Sequence, residues 1–262
     1  MKVAIIGAGN MGGAIALGLA GSSFKTANLA VSNPSEGKLK AITDLYPDVY
    51  TTTSNVEVIN DADLIILAVK PWKMEEVVRQ IAPRVDFSCQ ILMSLAAGIT
   101  IDTLKEWVTD NCDTPILFRC MPNTAIAVGE SMTFISAAGA TDEEITDVKE
   151  IFDLLGRCAV IEEDHMDAAM ALCSCGIAYA FRYVRAATEG AVQLGIRASE
   201  ARDYVMQTLL GAVRLLEKNG TNPEVEIDKV TTPGGVTIKG LNSMEANGFT
   251  NSVIQGLLSS CR

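Results

Sequence analysis

Short runs of consecutive apolar, often β-branched residues punctuate the first 161 positions, and stretches with helical spacing fill the gaps between them. The runs Val3–Ile6, Asn28–Val31, Leu64–Val69, Ile91–Ser94, Ile116–Arg119 and Met132–Ser136 predict strands. Several lack the polar alternation of a half-exposed strand, which is the pattern of a parallel sheet covered on both faces. A helix is predicted over Met11–Ala20, and Thr141-Asp142-Glu143-Glu144 has capping-box spacing before the periodic segment Ile145–Leu155. This alternation predicts an α/β fold with a doubly wound parallel sheet. After Ile161 the strand pattern stops. Asp164–Leu194 reads as one long helix or two abutting ones. Ser199 is placed to cap a helix running to Lys218, with Val205, Leu209, Ala212, Val213 and Leu216 on one stripe and Asn219-Gly220 ending it. Further helices are predicted from near Thr237, with a break around Gly248, and over Asn251–Ser259. The chain thus divides into a sheet domain, residues 1–161, and an all-helical domain, residues 162–262.

Composition narrows the function classes. With 48% hydrophobic and 20% charged residues in 262, the chain can bury a substantial core. The helical domain carries more apolar surface than about 100 residues can bury alone, which predicts a homodimer or a higher homo-oligomer. Apolar runs such as Ile91–Ile101 fall short of the ~18 residues a membrane span needs. The N-terminal stretch after Lys2 is broken by Gly7, Gly9, Gly12 and Gly13, so it reads as the first element of the mature fold rather than a leader. Lys and Arg number 21 against 32 Asp and Glu, a net charge of −11. That field repels a phosphate backbone and argues against a nucleic-acid partner. The seven cysteines, at 89, 112, 120, 158, 173, 175 and 261, form no paired framework, so a reducing cytoplasm is expected. With one histidine and no Cys-x-x-Cys pair, no metal site is expected.

The first strand runs directly into Gly7-Ala8-Gly9-Asn10-Met11-Gly12, followed by the helix-like Met11–Ala20. In that context the glycines fit a Rossmann-type dinucleotide loop. Gly7 allows the turn, Gly9 lets backbone approach a pyrophosphate, and Gly12 allows close helix–strand packing. The amides at Asn10 and Met11 open the helix N-terminus toward the phosphates. The second strand ends Val31-Ser32-Asn33-Pro34-Ser35 without the carboxylate that would hold a ribose diol. Neutral donors at Ser32, Asn33 and Ser35, with Lys38 nearby, favour the 2′-phosphate of NADPH, NADH being the alternative. Three further loops follow strands: Ala68-Val69-Lys70-Pro71, Ser94-Leu95-Ala96-Ala97-Gly98, and Arg119-Cys120-Met121-Pro122-Asn123-Thr124. Ala97 and Gly98 leave room for a nicotinamide ring, and Asn123 offers an amide to the carboxamide or to substrate. In the helical domain, Thr231-Thr232-Pro233-Gly234-Gly235-Val236-Thr237 is either a carboxylate-binding nest at a helix N-terminus or a connector that only turns the chain. His165, beside Glu162, Glu163 and Asp164, reads as a solvated helix start, and Cys173 and Cys175 as small residues filling a helix interface.

Taken together, these motifs resemble the pyrroline-5-carboxylate reductase family over essentially the whole length. The most specific match is Thr232-Pro233-Gly234-Gly235-Val236-Thr237-Ile238, followed by Gly240-Leu241 and Gly248-Phe249. Ala68-Val69-Lys70-Pro71, Arg119–Thr124 and Tyr179 also fit. The family usually has Ser-Gly-Ser-Gly-Pro-Ala-Tyr where this chain has Cys173-Ser174-Cys175-Gly176-Ile177-Ala178-Tyr179, and Pro where it has Ala125. The resemblance implies reduction of L-1-pyrroline-5-carboxylate to L-proline by hydride transfer to a cyclic imine carbon. It implies that the N–H groups of Val236 and Thr237 hold the substrate carboxylate, with Thr232, Gly234, Gly235 and Asn123 around it, and that the Thr237 hydroxyl approaches the ring nitrogen. It places Asn55 near the adenine ribose. Lys70 is a second candidate for the chemistry: it stands near the nicotinamide end or simply terminates a strand. Two rivals are a hydroxyacid dehydrogenase of similar architecture and a catalytically silent NADP-binding regulatory protein. The first uses an interdomain lysine, whereas no lysine occurs between Lys149 and Lys218.

Overall fold

All four residues of β1 (Val3–Ile6) are buried, as a central strand flanked on both faces requires. Alternate side chains enter different cores. Val3 and Ile5 join Ile15 and Leu19 of helix α1 (Asn10–Gly21) and Phe152 of helix α6 (Asp142–Asp153). Ala4 and Ile6 join Met74, Val78 and Ile81 of α4 (Pro71–Ile81) and Leu104 of α5 (Ile101–Val108). The structure, a computed structural model, describes residues 1–108, 111 and 114–261, so Cys112 lies outside the described residues. It forms two compact units, Met1–Ser174 and Cys175–Arg262.

The first unit is built on one sheet of eight described strands. In spatial order they are β3 (Tyr50–Thr52), β2 (Leu29–Ser32), β1, β4 (Leu64–Leu67), β5 (Ile91–Ser94), β6 (Leu117–Met121), β7 (Ser131–Ala138) and β8 (Gly156–Val160). This is the doubly wound Rossmann arrangement, with the chain reversing direction across the sheet between β1 and β4. Every pairing is parallel except β6 with β7. The connection from Met121 to Ser131 is a single short turn, Thr124–Val128, too brief for the crossover that a parallel neighbour demands. Near β2 and β3, helix α2 (Glu36–Thr43) adds Leu39 and Ile42 to the first core and helix α3 (Asn55–Val58) adds Val58 to the second. The capping box is present: Thr141 accepts from Glu144 N–H, and the Glu144 carboxylate accepts from Thr141 N–H.

Several boundaries differ from the sequence expectation. β3 and β8 go unannounced: Tyr50–Thr52 is a short, half-exposed edge strand, and Gly156–Val160 buries only Cys158. β4 ends at Leu67, not Val69. Residues 163–174 lie within the first unit. Two anchors hold them there: Glu163 is bonded to Arg119 and to Ile101 N–H, and Ser174 donates to the Pro122 carbonyl. They form α7 (Met166–Ala169) and the start of a π-helical turn, Met170–Cys175.

The second unit is all helix: α8 (Gly176–Gln193), α9 (Ala198–Asn219), α10 (Pro223–Val230), α11 (Val236–Ala246) and α12 (Phe249–Ser260). Ser199 does not cap α9. The preceding residue at the cap is Arg197, without a side-chain bond, and Ser199 sits inside the first turn. Tyr179 of α8 donates its hydroxyl to the Gly256 carbonyl of α12 at 3.0 Å, joining the unit's first and last helices. Among its described residues only Ala201 is buried, while Phe181, Tyr204, Leu210, Val213 and Leu258 stand exposed.

Candidate active site

The glycine loop between β1 and α1 is shaped by the sheet. Gly7 has φ +103°, a conformation that L side chains rarely adopt, and its N–H donates to Ser32 O at 2.8 Å. A Cβ on Gly12 would lie 1.9 Å from Gly7 O and 2.7 Å from Ala68 Cβ, so helix α1 approaches the strand ends only because that atom is missing. Gly9 is different: a Cβ there would meet nothing within 4 Å. The protein itself does not require glycine at that position, but a ligand seated against the backbone would. Gly9 caps α1 with no side-chain bond, and no acidic residue stands in the first turn. The helix therefore presents its amides and positive dipole end to an anion without a competing carboxylate. These residues fit a dinucleotide pyrophosphate.

At the β2 tip, the predicted 2′-phosphate donors separate by environment. Ser32 is fully buried and its hydroxyl donates to Asn55 Oδ1 at 2.9 Å. Asn55 Nδ2 in turn donates to Gln80 Oε1 at 2.9 Å. Asn33 is also buried: its Oδ1 accepts from Ala8 N–H at 3.0 Å and its Nδ2 donates to Ser35 O at 3.1 Å. Asn33 thus ties the glycine loop to the β2 tip. Ser35 and Lys38 are exposed. Along the same rim, Ala68 touches the glycine loop, and Lys70 caps α4 with its ammonium 5.9 Å from the centroid of the exposed Trp72 ring. Asn123, almost fully buried, accepts from Ala125 N–H through Oδ1 and reaches Cys173 O with Nδ2 at 3.5 Å. Its own N–H donates to Ser131 Oγ. Ala97 is half-buried and Gly98 exposed in the loop after β5.

In the second unit, the turn before α11 has the geometry of an open helix N-terminus. Thr232 O accepts from Gly235 N–H at 2.9 Å, and Gly234 takes φ +72°. A Cβ on Gly235 would stand 2.5 Å from Thr232 Oγ1. Gly235 caps α11 without a side-chain bond, and Val236 and Thr237 are exposed. Their amides point out of the first turn with no partner within the helix.

The buried thiols of the sheet unit are poorly suited to chemistry. Burial, with the Asp153 charge second, pushes the Cys158 thiol up to about 12, and burial drives Cys120 well above its usual range. Both are protonated at neutral pH and unable to act as nucleophiles. His165 is exposed on a short helical turn after Glu162. Among the described residues no group of His, Cys, Asp or Glu is arranged to hold a metal ion, and no helix is long and apolar enough to cross a membrane. A cavity of about 380 Å³ at the amino ends of β1 and β2, lined by Lys2, Asn28, Tyr50 and Asp61 among others, includes none of the residues above. Sequence reasoning missed Gln80, Ser131 and Glu163. Arg119, a cation inside the otherwise apolar β6, was the available signal for Glu163.

A doubly wound sheet with a glycine loop of this kind, joined to a helical unit, defines a nicotinamide-dinucleotide oxidoreductase. Pyrroline-5-carboxylate reductase 2 of Dictyostelium discoideum is 35% identical over 99% of this chain and 90% of its own length. The chain belongs to the pyrroline-5-carboxylate reductase family. Residues 163–262 match the family described as pyrroline-5-carboxylate reductase dimerisation, and residues 2–98 one described as NADP oxidoreductase coenzyme F420-dependent. The crystal structure of Plasmodium falciparum pyrroline carboxylate reductase with NADP bound superposes with a TM-score of 0.88 at 29% identity, covering 100% of this chain and 95% of that one. A pyrroline-5-carboxylate reductase from Coxiella burnetii gives 0.92 at 27% identity, covering 99% and 96%. Neither rival is favoured by any of these findings.

Proposed function

We propose that this chain reduces L-1-pyrroline-5-carboxylate to L-proline with NADPH, the closing step of proline biosynthesis. The observation that carries the reading is end-to-end similarity to reductases of that name, one of them with NADP bound. Bound NADPH supplies the hydride that the imine carbon accepts. The chain supplies position and charge. The amides at Gly9, Asn10 and Met11, in the loop between Gly7 and Gly12, hold the pyrophosphate. Ser35 and Lys38 take the 2′-phosphate, while Ser32, Asn33 and Asn55 fix the rim around it. Ala68, Val69, Lys70 and Pro71 border the cofactor, with Lys70 adding positive charge, and Ala97, Gly98 and Asn123 accommodate the nicotinamide end. In the second unit, Val236 and Thr237 N–H groups bind the substrate carboxylate at the start of α11, on a turn shaped by Thr232, Gly234 and Gly235. The Thr237 hydroxyl holds the proton at the ring nitrogen. A cyclic imine protonates readily near neutral pH, so a positioned hydroxyl suffices without a strong general acid.

Residues 1–161 serve as the dinucleotide-binding domain and residues 162–262 as the substrate and dimerisation domain. The exposed apolar positions of α8, α9 and α12 support a homodimer or larger homo-oligomer, and the family description of residues 163–262 points the same way. A cytoplasmic setting accords with the free thiols of the described cysteines. The test is direct: purified protein, NADPH and pyrroline-5-carboxylate should lose the dihydronicotinamide absorbance and gain proline in equal amounts. Tight NADPH binding without proline formation would overturn the assignment and favour a silent binding protein.

A further inference from the structure

One carboxylate on the first unit gathers strands of chain that lie far apart in sequence. Glu163 Oε1 accepts from Arg119 Nη1 at 2.8 Å and from the backbone N–H of Ile101 at 2.8 Å. The Arg119 side chain is only 7% exposed and that of Glu163 28%. Ile101 opens α5 directly after the loop holding Ala97 and Gly98, so Glu163 caps that helix from 62 residues away. Arg119 lies in register with Ser94 on the neighbouring strand and begins the segment that ends at Asn123. From Glu163 the chain continues to Cys173 and Ser174, which return to the same segment: Ser174 Oγ donates to Pro122 O at 3.0 Å, and Cys173 O accepts from Asn123 Nδ2. Glu163 therefore ties the start of α5, just past the β5 loop, to strand β6, while Cys173 and Ser174 hold the loop that follows β6.

An ion pair this deeply placed is a poor source of net stability, because desolvation offsets much of the attraction. Its fixed geometry offers something else. A bidentate-capable guanidinium and a helix-start amide converging on one oxygen leave little freedom to β6 or to the start of α5, from which the two loops are hung. We propose that Glu163 is a positioning residue for hydride transfer: it holds the Ala97-Gly98 loop and Asn123 at the spacing the nicotinamide ring needs. The proposal rests on the reductase reading above. It assigns Glu163 no contact with substrate or cofactor.

The test compares Glu163→Ala, Glu163→Asp and Glu163→Gln with the wild-type chain in steady-state reduction of pyrroline-5-carboxylate, using NADPH and NADPH deuterated at the transferring position. Glu163→Ala is expected to lower kcat by roughly 10- to 100-fold, the cost of misplacing reacting groups by about an ångström, while NADPH affinity changes by no more than about twofold. The deuterium effect on kcat should rise, because misalignment makes hydride transfer limiting. Glu163→Gln keeps an acceptor oxygen for both donors and should recover most of kcat. Glu163→Asp keeps the charge but is one methylene too short to meet both donors, and should lose kcat with the same rise in isotope effect. If Glu163→Ala does not fold, Glu163→Asp decides. Wild-type kcat and isotope effect in a folded Ala or Asp variant would overturn the proposal, as would a loss seen entirely in NADPH affinity. A wild-type chain that makes no proline would overturn the reductase reading itself and this proposal with it.

Discussion

Gly9 and Gly12 stand three residues apart in one loop, yet their replacement by alanine should fail in different ways. At Gly12 the new methyl would lie 1.9 Å from the Gly7 carbonyl oxygen. Backbone cannot yield as a flexible side chain does, so the cost is that of overpacking, about 1–3 kcal/mol. For a chain of this size each kcal/mol lowers Tm by roughly 2–4 °C. At Gly9 the methyl meets no protein atom within 4 Å, and the backbone there, φ −74° and ψ −165°, is open to alanine. The entropy gained by restricting the unfolded chain, about 0.4–1 kcal/mol, is offset by alanine's poorer capping of a helix, leaving stability nearly unchanged. The methyl does occupy the space that a pyrophosphate approaching the α1 amides would use. Losing a charge-assisted hydrogen bond of about 1.5–3 kcal/mol weakens NADPH binding by roughly 10- to 150-fold. Calorimetric titration with NADPH and thermal melts of both variants measure the two quantities separately. Wild-type affinity in Gly9→Ala would refute the placement of the phosphates, and so would a melt as depressed as that of Gly12→Ala.

Other expectations concern single groups. Thr237→Ala should lower kcat for pyrroline-5-carboxylate by about 100-fold, within the range for loss of a group that handles a proton in the transition state, with NADPH affinity retained; equal losses in both would remove its assigned role. Ser35→Ala should weaken NADPH more than NADH, whereas Ser32→Ala, acting through Asn55, should weaken both alike; kinetics with the two cofactors would show an unchanged preference if the 2′-phosphate is read elsewhere. Cys158 keeps its proton up to about 12 in the fold against 9.0 for a free thiol, so the unfolded chain ionises first. Its contribution to stability is complete below pH 9.0 and falls as pH rises toward about 12. Stability measured by chemical denaturation across that interval should decline more steeply in the wild-type chain than in Cys158→Ala, and equal slopes would contradict the burial argument.

The sheet was largely legible because its central strands are continuous apolar runs. Val3–Ile6, Leu64–Leu67 and Ile91–Ser94 are buried at every position. The strands that escaped notice lie where burial is partial. Tyr50 is exposed and Thr51 and Thr52 half-exposed, so β3 carries no hydrophobic signature, and its existence depends on pairing with β2. Helix α10 begins at Pro223, is half charged and has no buried residue, so periodicity could not announce it. Among the candidate site positions, the glycine loop was legible because covalent geometry fixes the residue type. Asn33 was legible as a polar residue at the rim, but its bond to Ala8 N–H spans 25 positions, and no local pattern encodes such a contact. The pairing of Arg119 with Glu163 across 44 positions was hidden for the same reason.

The most direct measurement follows one atom. NADPH carrying deuterium at the transferring position, incubated with the enzyme and pyrroline-5-carboxylate, should yield proline with a single deuterium on C5, the former imine carbon, as read by mass spectrometry and NMR. Proline without that deuterium, or consumption of the cofactor with no proline formed, would contradict the account.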